Sequence, residues 1–459
     1  MIKRTLLVAA AACAFALPSA SVAAQDVVIS NATVATGDGS EPIENGYVVV
    51  RGGKVVAVGA GVPPAGGTAI DAQGGWVTPG LFATVTSLGL WDVGAVEESN
   101  DTGARSSPFS AALDAAPAIN SNSQHILVHR AAGVTRAASV TMPSSSIFGG
   151  QGAIIDLGAD PQAVVRPRAF QLVALGESGA RLAGGSRPST HALLRNALRE
   201  ASQFGEDARI PGRASRRAEM RTGDDLPIDP RMTGENAMRG DDALLTRFDA
   251  AALVPVVRGE QPLYVAVERA SDIRSVLALR SEFPGLDLVL IGASEGWLVA
   301  REIAASGVPV IADGLDDLPE RFEQLASTQS NIGRLVAAGV KVAINASAME
   351  NPRNLNQYAG NLVALRRIPG ADGLSWGQAF AAISSIPAEI SGMGGRAGVL
   401  APHAAGDVVI WDNDPLELGA MPVRVFIDGV EQPLDNHQSR LKERYRDLDE
   451  RSLPKAYDW

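Results

Sequence analysis

Cysteine, histidine and lysine are scarce in this sequence, and each shortage narrows its chemistry. The 459 residues hold one cysteine, Cys13, and five histidines. Cys13 lies in an N-terminal run that reads as removable. The mature chain is therefore expected to form no disulfide, bind no metal through thiolate and use no cysteine nucleophile. Five of the 40 basic residues are lysines, and none stands between Lys54 and Lys341. Arginine supplies the rest, in no basic block, against a net charge of −11. No nucleic-acid partner and no anionic-membrane surface are expected from that balance. No segment after residue 24 is long and apolar enough to read as a membrane span.

What is present starts with an export signal. Lys3 and Arg4 precede an apolar run from Leu6 to Leu17, and small residues follow, with Val22 and Ala24 placed for a cut before Gln25. Residues 1–24 are thus expected to be a signal peptide and the mature protein to be periplasmic or secreted. The rest is ordinary in composition, 46% hydrophobic and 20% charged, as globular chains are.

Residues 25–78 alternate β-branched residues with Asn, Asp and Gly, as in GYVVVRGGKVVAVG, and predict successive hairpins. From 79 to 395 apolar strand-like runs (PLYVAVE, LDLVLIG, VPVIADG, VKVAINA) alternate with helical stretches such as NIGRLVAAGV. That alternation predicts a parallel α/β fold, with a barrel as the candidate. Hairpin-like strands return over 396–435, so both ends can pair into one composite sheet domain. A polar tail fills 436–459. Residues 205–242, dense in Arg, Asp, Gly and Pro, read as a solvated insertion, with a lid or partner-binding loop as the alternative.

Two stretches carry a family resemblance: NATVATGDGSEPIENGYVVVRGGKVVAVG with IDAQGGWVTPGLFATVTSLGL, and AISSIPAEISGMGGRAGVLAPHAAGDVVIWDNDPLEL. Together with HRAAGVTRAASVTM and AAGVKVAINAS they resemble the amidohydrolase superfamily, of the imidazolonepropionase-like kind, from about Asp26 to Asp435. The resemblance implies a (β/α)8 TIM-like barrel plus a small composite β-sandwich built from the two ends. It also implies zinc or another divalent metal at the C-terminal ends of the strands, activating a water for hydrolysis.

Carried over position by position, the metal ligands are missing. The first-strand His-x-His pair falls on Val85 and Ser87, two later histidines on Ala266 and Gly292, and the last-strand Asp on Ser347. A bridging carboxylated lysine is excluded wherever the chain has no lysine. Val85, Ala266 and Gly292 offer no donor atom, and serine hydroxyls seldom hold zinc, which wants three ligands from His, Asp, Glu or Cys. No metal or other cofactor is expected.

Other constellations are weaker. His125 and His129 have the spacing of a zinc pair, but on an outer helix a surface or packing role is expected. His191, His403 and His437 stand alone. Gly292-Ala293-Ser294-Glu295-Gly296 matches the Gly-x-Ser-x-Gly of a serine-hydrolase elbow, with Ser294 as nucleophile and His403 as base, and is a remote alternative. Glu268, Ser294, Glu295 and Asp313 are the weak pocket candidates near the barrel mouth, where carboxylates are expected to pair with arginines such as Arg269. The main expectation is a non-catalytic or impaired barrel. It would act through a small ligand in its mouth, as a homo-oligomer, or in a hetero-complex with an active relative. The alternative is a hydrolase of non-peptide carbon–nitrogen bonds, in a cyclic amide or dipeptide-like substrate, with an unconventional metal site or none.

Overall fold

The computed structural model describes residues 24–207, 244–314, 316–345 and 351–446. Most of the expected signal peptide, nearly all of the 205–242 insertion, Ser347 and the last part of the tail lie outside these residues. No helix among the described residues is long and apolar enough to cross a membrane.

The first five strands are β1 (Val27–Val34), β2 (Ile43–Arg51), β3 (Lys54–Ala60), β4 (Thr68–Asp71) and β5 (Trp76–Pro79). The RGGK step is the hairpin its sequence predicts. Arg51 pairs with Lys54, and Gly52 and Gly53 both take positive φ, 55° and 77°, as a tight hairpin turn requires. The chain then enters the barrel through a single residue, Gly80. A Cβ there would sit 2.0 Å from Thr135 Oγ1, so only glycine fits.

Eight strands form the barrel sheet: β6 (Leu81–Thr86), β7 (Val134–Ser139), β8 (Phe148–Asp156), β9 (Val164–Ala174), β10 (Leu263–Val267), β11 (Leu288–Gly292), β12 (Val310–Asp313) and β13 (Val342–Asn345). They are hydrogen-bonded in the order β13 back to β6, and β13 returns beside β6 so that the cylinder nearly closes. The expectation of an all-parallel barrel needs one correction. β8 runs antiparallel to both β7 and β9. The links before and after it, residues 140–147 and 157–163, are too short for the helical crossover a parallel strand requires, so the chain turns back as a hairpin.

Alternation along each strand builds two cores. Leu263, Val265, Leu288, Leu290 and Val310 face the surrounding helices. Phe82, Phe170, Tyr264, Val289 and Ile311 point inward, and Phe170 stacks on Tyr264 with ring centroids 4.2 Å apart. The barrel interior is packed side chain, not a pore. Ala388, Ile390 and Met393 join this cluster, and the Tyr264 hydroxyl donates to the Ile390 carbonyl at 3.4 Å.

Past the barrel come β14 (Val408–Trp411), β15 (Pro422–Ile427) and β16 (Val430–Glu431). β14 pairs with β5, Trp411 opposite Trp76, so the two ends of the chain share one continuous sheet. Its apolar residues, among them Ile29, Val48, Val77, Val408 and Phe426, enclose a third core. The bolt between this sheet and the barrel is Arg136 of β7. Its guanidinium donates to Asp407 at 2.7 and 3.2 Å and to Asp428 at 2.8 Å.

Candidate site at the barrel mouth

The C-terminal strand ends gather the positions that matter. Val85 lies in β6, Ser87 just after it, Ala266 in β10, Gly292 at the end of β11 and Asp313 at the end of β12. In register, Val267 faces Gly292 and Asp313 faces Asn345. The apolar replacements are built into the packing: Val85 is 5% exposed and belongs to the inner cluster. Its φ of 47° is a true outlier for a β-branched residue, at the irregularity that β6 makes between Ala83 and Thr86.

Gly292 is where the structure is most specific. Its φ is +84°, and a Cβ there would lie 2.3 Å from Glu268 Oε1 and 2.5 Å from Oε2. The Glu268 carboxylate therefore fills the space that any side chain at residue 292 would need. The next residue, Ala293, also takes a positive φ, 49°, and the turn delivers Ser294 to the same carboxylate. Ser294 Oγ lies 2.6 Å from Glu268 Oε2, and its amide donates to that oxygen at 3.0 Å.

Two more groups close on Ser294 from the segment after β12. Asp316 Oδ2 lies 2.9 Å from the hydroxyl and Gln324 Nε2 donates to it at 3.3 Å. A serine hydroxyl has one hydrogen to give, so it cannot donate to two carboxylates at once. With the Gln324 amide also donating inward, the arrangement is satisfied when one carboxyl keeps a proton and gives it to Oγ. The electrostatics agree. Burial, reinforced by the negative charges of Asp316 and Glu323 against the Ser294 hydrogen bonds, pushes Glu268 up to about 7. Burial raises Asp316 as well. The proton belongs to the pair.

Of the sequence candidates, Glu268 and Ser294 come together. Glu295 does not join them: its carboxylate accepts from the backbone amides of Ala270 at 3.1 Å and Ala326 at 3.3 Å, tying two segments together. Asp316, Gln324 and Glu323 went unnoticed in the sequence, because their contacts span tens of residues and no motif marks them. Glu323 accepts from the Glu177 amide at 2.7 Å and from Arg187 at 3.0 Å.

The serine-hydrolase reading fails on this geometry. Ser294 does not take the positive φ of an elbow nucleophile and is 1% exposed, and among the described residues its hydroxyl meets two carboxyls and an amide. His403 sits beside the terminal sheet, its amide donating to the Val55 carbonyl. His125 stacks on Trp91 at 3.6 Å, and His129 is buried with Nδ1 2.6 Å from the His125 carbonyl oxygen. Both histidines pack.

The residues present do not fit a catalytic zinc. Val85, Ala266 and Gly292 carry no donor, and the Glu268 carboxylate stands in the place of a residue-292 side chain. Among the described residues no three His, Cys, Asp or Glu side chains form a group that could hold a metal ion.

Comparison with known proteins gives the scaffold its class. Amidohydrolase tasK of Hapsidospora irregularis is 25% identical over 421 residues, 84% of this chain and 40% of its own length. A 5'-deoxyadenosine deaminase of Methanococcoides burtonii is 44% identical over 66 residues, 14% of this chain and 15% of its own. The chain thus spans well under half the length of either relative. An amidohydrolase from Thermotoga maritima superposes with a TM-score of 0.72 at 23% identity, covering 88% of this chain and 99% of that one. No protein-family model matches. The chain is thus similar in sequence to one amidohydrolase and shares its fold with another.

Proposed function

We propose that this chain is an exported, imidazolonepropionase-like member of the superfamily that has lost the metal-dependent reaction and works by binding a ligand or a partner chain. The carrying observation is at residue 292. A missing ligand alone leaves a gap. Here the Glu268 carboxylate is packed against the glycine, hydrogen-bonded to Ser294 and through it to Asp316. The mouth is rebuilt around a proton-sharing carboxyl pair in place of a metal. A hetero-complex with a metal-containing relative is the partner we favour. Metal analysis of the purified protein is the test. We expect well under one equivalent of Zn, Mn or Fe per chain after mild dialysis, and about one equivalent that resists dialysis overturns the reading.

One observation favours a second reading, metal-free hydrolysis of a non-peptide carbon–nitrogen bond. Two neighbouring carboxyls, both raised by burial and one of them to about 7, resemble a general acid–base pair. Glu268→Gln would abolish such turnover, whereas a binding protein shows none to abolish.

A further inference from the structure

A cavity of about 470 Å³ opens away from the barrel mouth. It lies between helix Gln124–Ala131, the start of helix Leu355–Leu365 and the C-terminal helix His437–Arg444. The first of these helices leads through Gly133 into the beginning of β7, so the cavity is at the opposite end of the barrel from Ser294. Gly133 is forced by the packing there: a Cβ would sit 2.8 Å from the Trp411 ring.

The lining has two characters. One wall is apolar, with Val128, Ala131, Pro422 and Leu434, and Leu418 and Met421 stand at its edge, 76% and 61% exposed. The other carries Arg353 and Lys442 among asparagine, glutamine and serine side chains. Among the described residues it contains no carboxylate. In a chain of net charge −11, whose arginines are repeatedly clasped by acids, as Arg136, Arg187, Arg274, Arg334 and Arg424 are, such a surface is unusual. Arg353 hydrogen-bonds instead to a neutral amide, Gln438 Oε1, at 3.0 Å. That bond holds the two helical walls together and leaves the guanidinium's charge uncompensated among the described residues.

We propose that this groove binds a small amphiphilic carboxylate, its anionic head on Arg353 and Lys442 and its apolar body along Val128, Ala131 and Leu434. The volume is in the range of small-molecule sites, and a cation pair without a neighbouring acid selects for a negative head. The site is independent of the barrel mouth, so it stands whether or not the proposed loss of hydrolysis is correct.

Isothermal titration of the full chain with octanoate, octyltrimethylammonium and octanol tests it. Octanoate should bind saturably at one per chain, and the cationic and neutral probes at least about tenfold more weakly. Arg353→Glu and Lys442→Glu should each weaken octanoate by about tenfold or more, and Lys442→Glu should leave the thermal midpoint unchanged, since that side chain is exposed. Equal binding of the three probes, or reversal variants that bind octanoate like the parent, overturns the proposal. So does a dimer that Arg353→Glu dissolves in the absence of probe, because the groove is then an interface between copies of the chain.

Discussion

Glu268 is a residue whose chemistry its surroundings change strongly. Enclosure beside Asp316 raises its pKa from 4.5 to about 7. A carboxyl more basic in the folded chain than in the unfolded one makes folding less favourable as pH rises between those two values. Stability contributed by the neutral form is fully present below about 4.5, falls through the window, and is gone above about 7. Thermal midpoints measured across that window should decline with pH. The decline should flatten in Glu268→Gln, a difference of about 2–3 kcal/mol. An unchanged slope in the variant rules out a proton held at this position. Asp156, held up at about 6 by burial, contributes in the same direction in both proteins and cancels in the comparison.

At the level of strands and turns, the end of β11 is the informative piece. Gly292 needs both its left-handed backbone and its missing side chain, the second because Glu268 occupies the space. Gly292→Ala should therefore cost about 2–3 kcal/mol in urea unfolding. The same change in a Glu268→Ala background should cost only the backbone part, about 1–2 kcal/mol. Additive costs would mean that the two residues do not compete. β8 teaches a different lesson. Its apolar text reads as one more barrel strand, and direction is not written in a strand's own composition. Direction followed from the linkers: 140–147, with Pro143 and three serines, has no helical period to carry the chain across the sheet.

Across the whole molecule, a buried charge group ties the terminal sheet to the barrel. Arg136 is 5% exposed at its side chain and Asp407 2%, so Arg136→Ala strands an unpaired carboxylate inside the protein. A loss of about 3–5 kcal/mol is expected from denaturant unfolding. Asp428→Asn should cost far less, because Asp428 is 56% exposed and water replaces its partner. If the two variants lose equal stability, Arg136 is not the bolt described here.

Much of this was legible before any coordinates. Absent donor atoms are a property of residue identity, so Val85, Ala266 and Gly292 can supply no metal ligand wherever the chain places them. Strand runs, the RGGK hairpin and the pairing of the two ends are likewise readable, since they follow from local pattern and composition. The hydrogen-bonded cluster around Ser294 was not readable. Ser294 meets Glu268 across 26 residues, Asp316 across 22 and Gln324 across 30, and no periodicity links them. Such contacts exist only once strand register and turn geometry have brought three separate segments to one point. The shared proton is a consequence of that convergence.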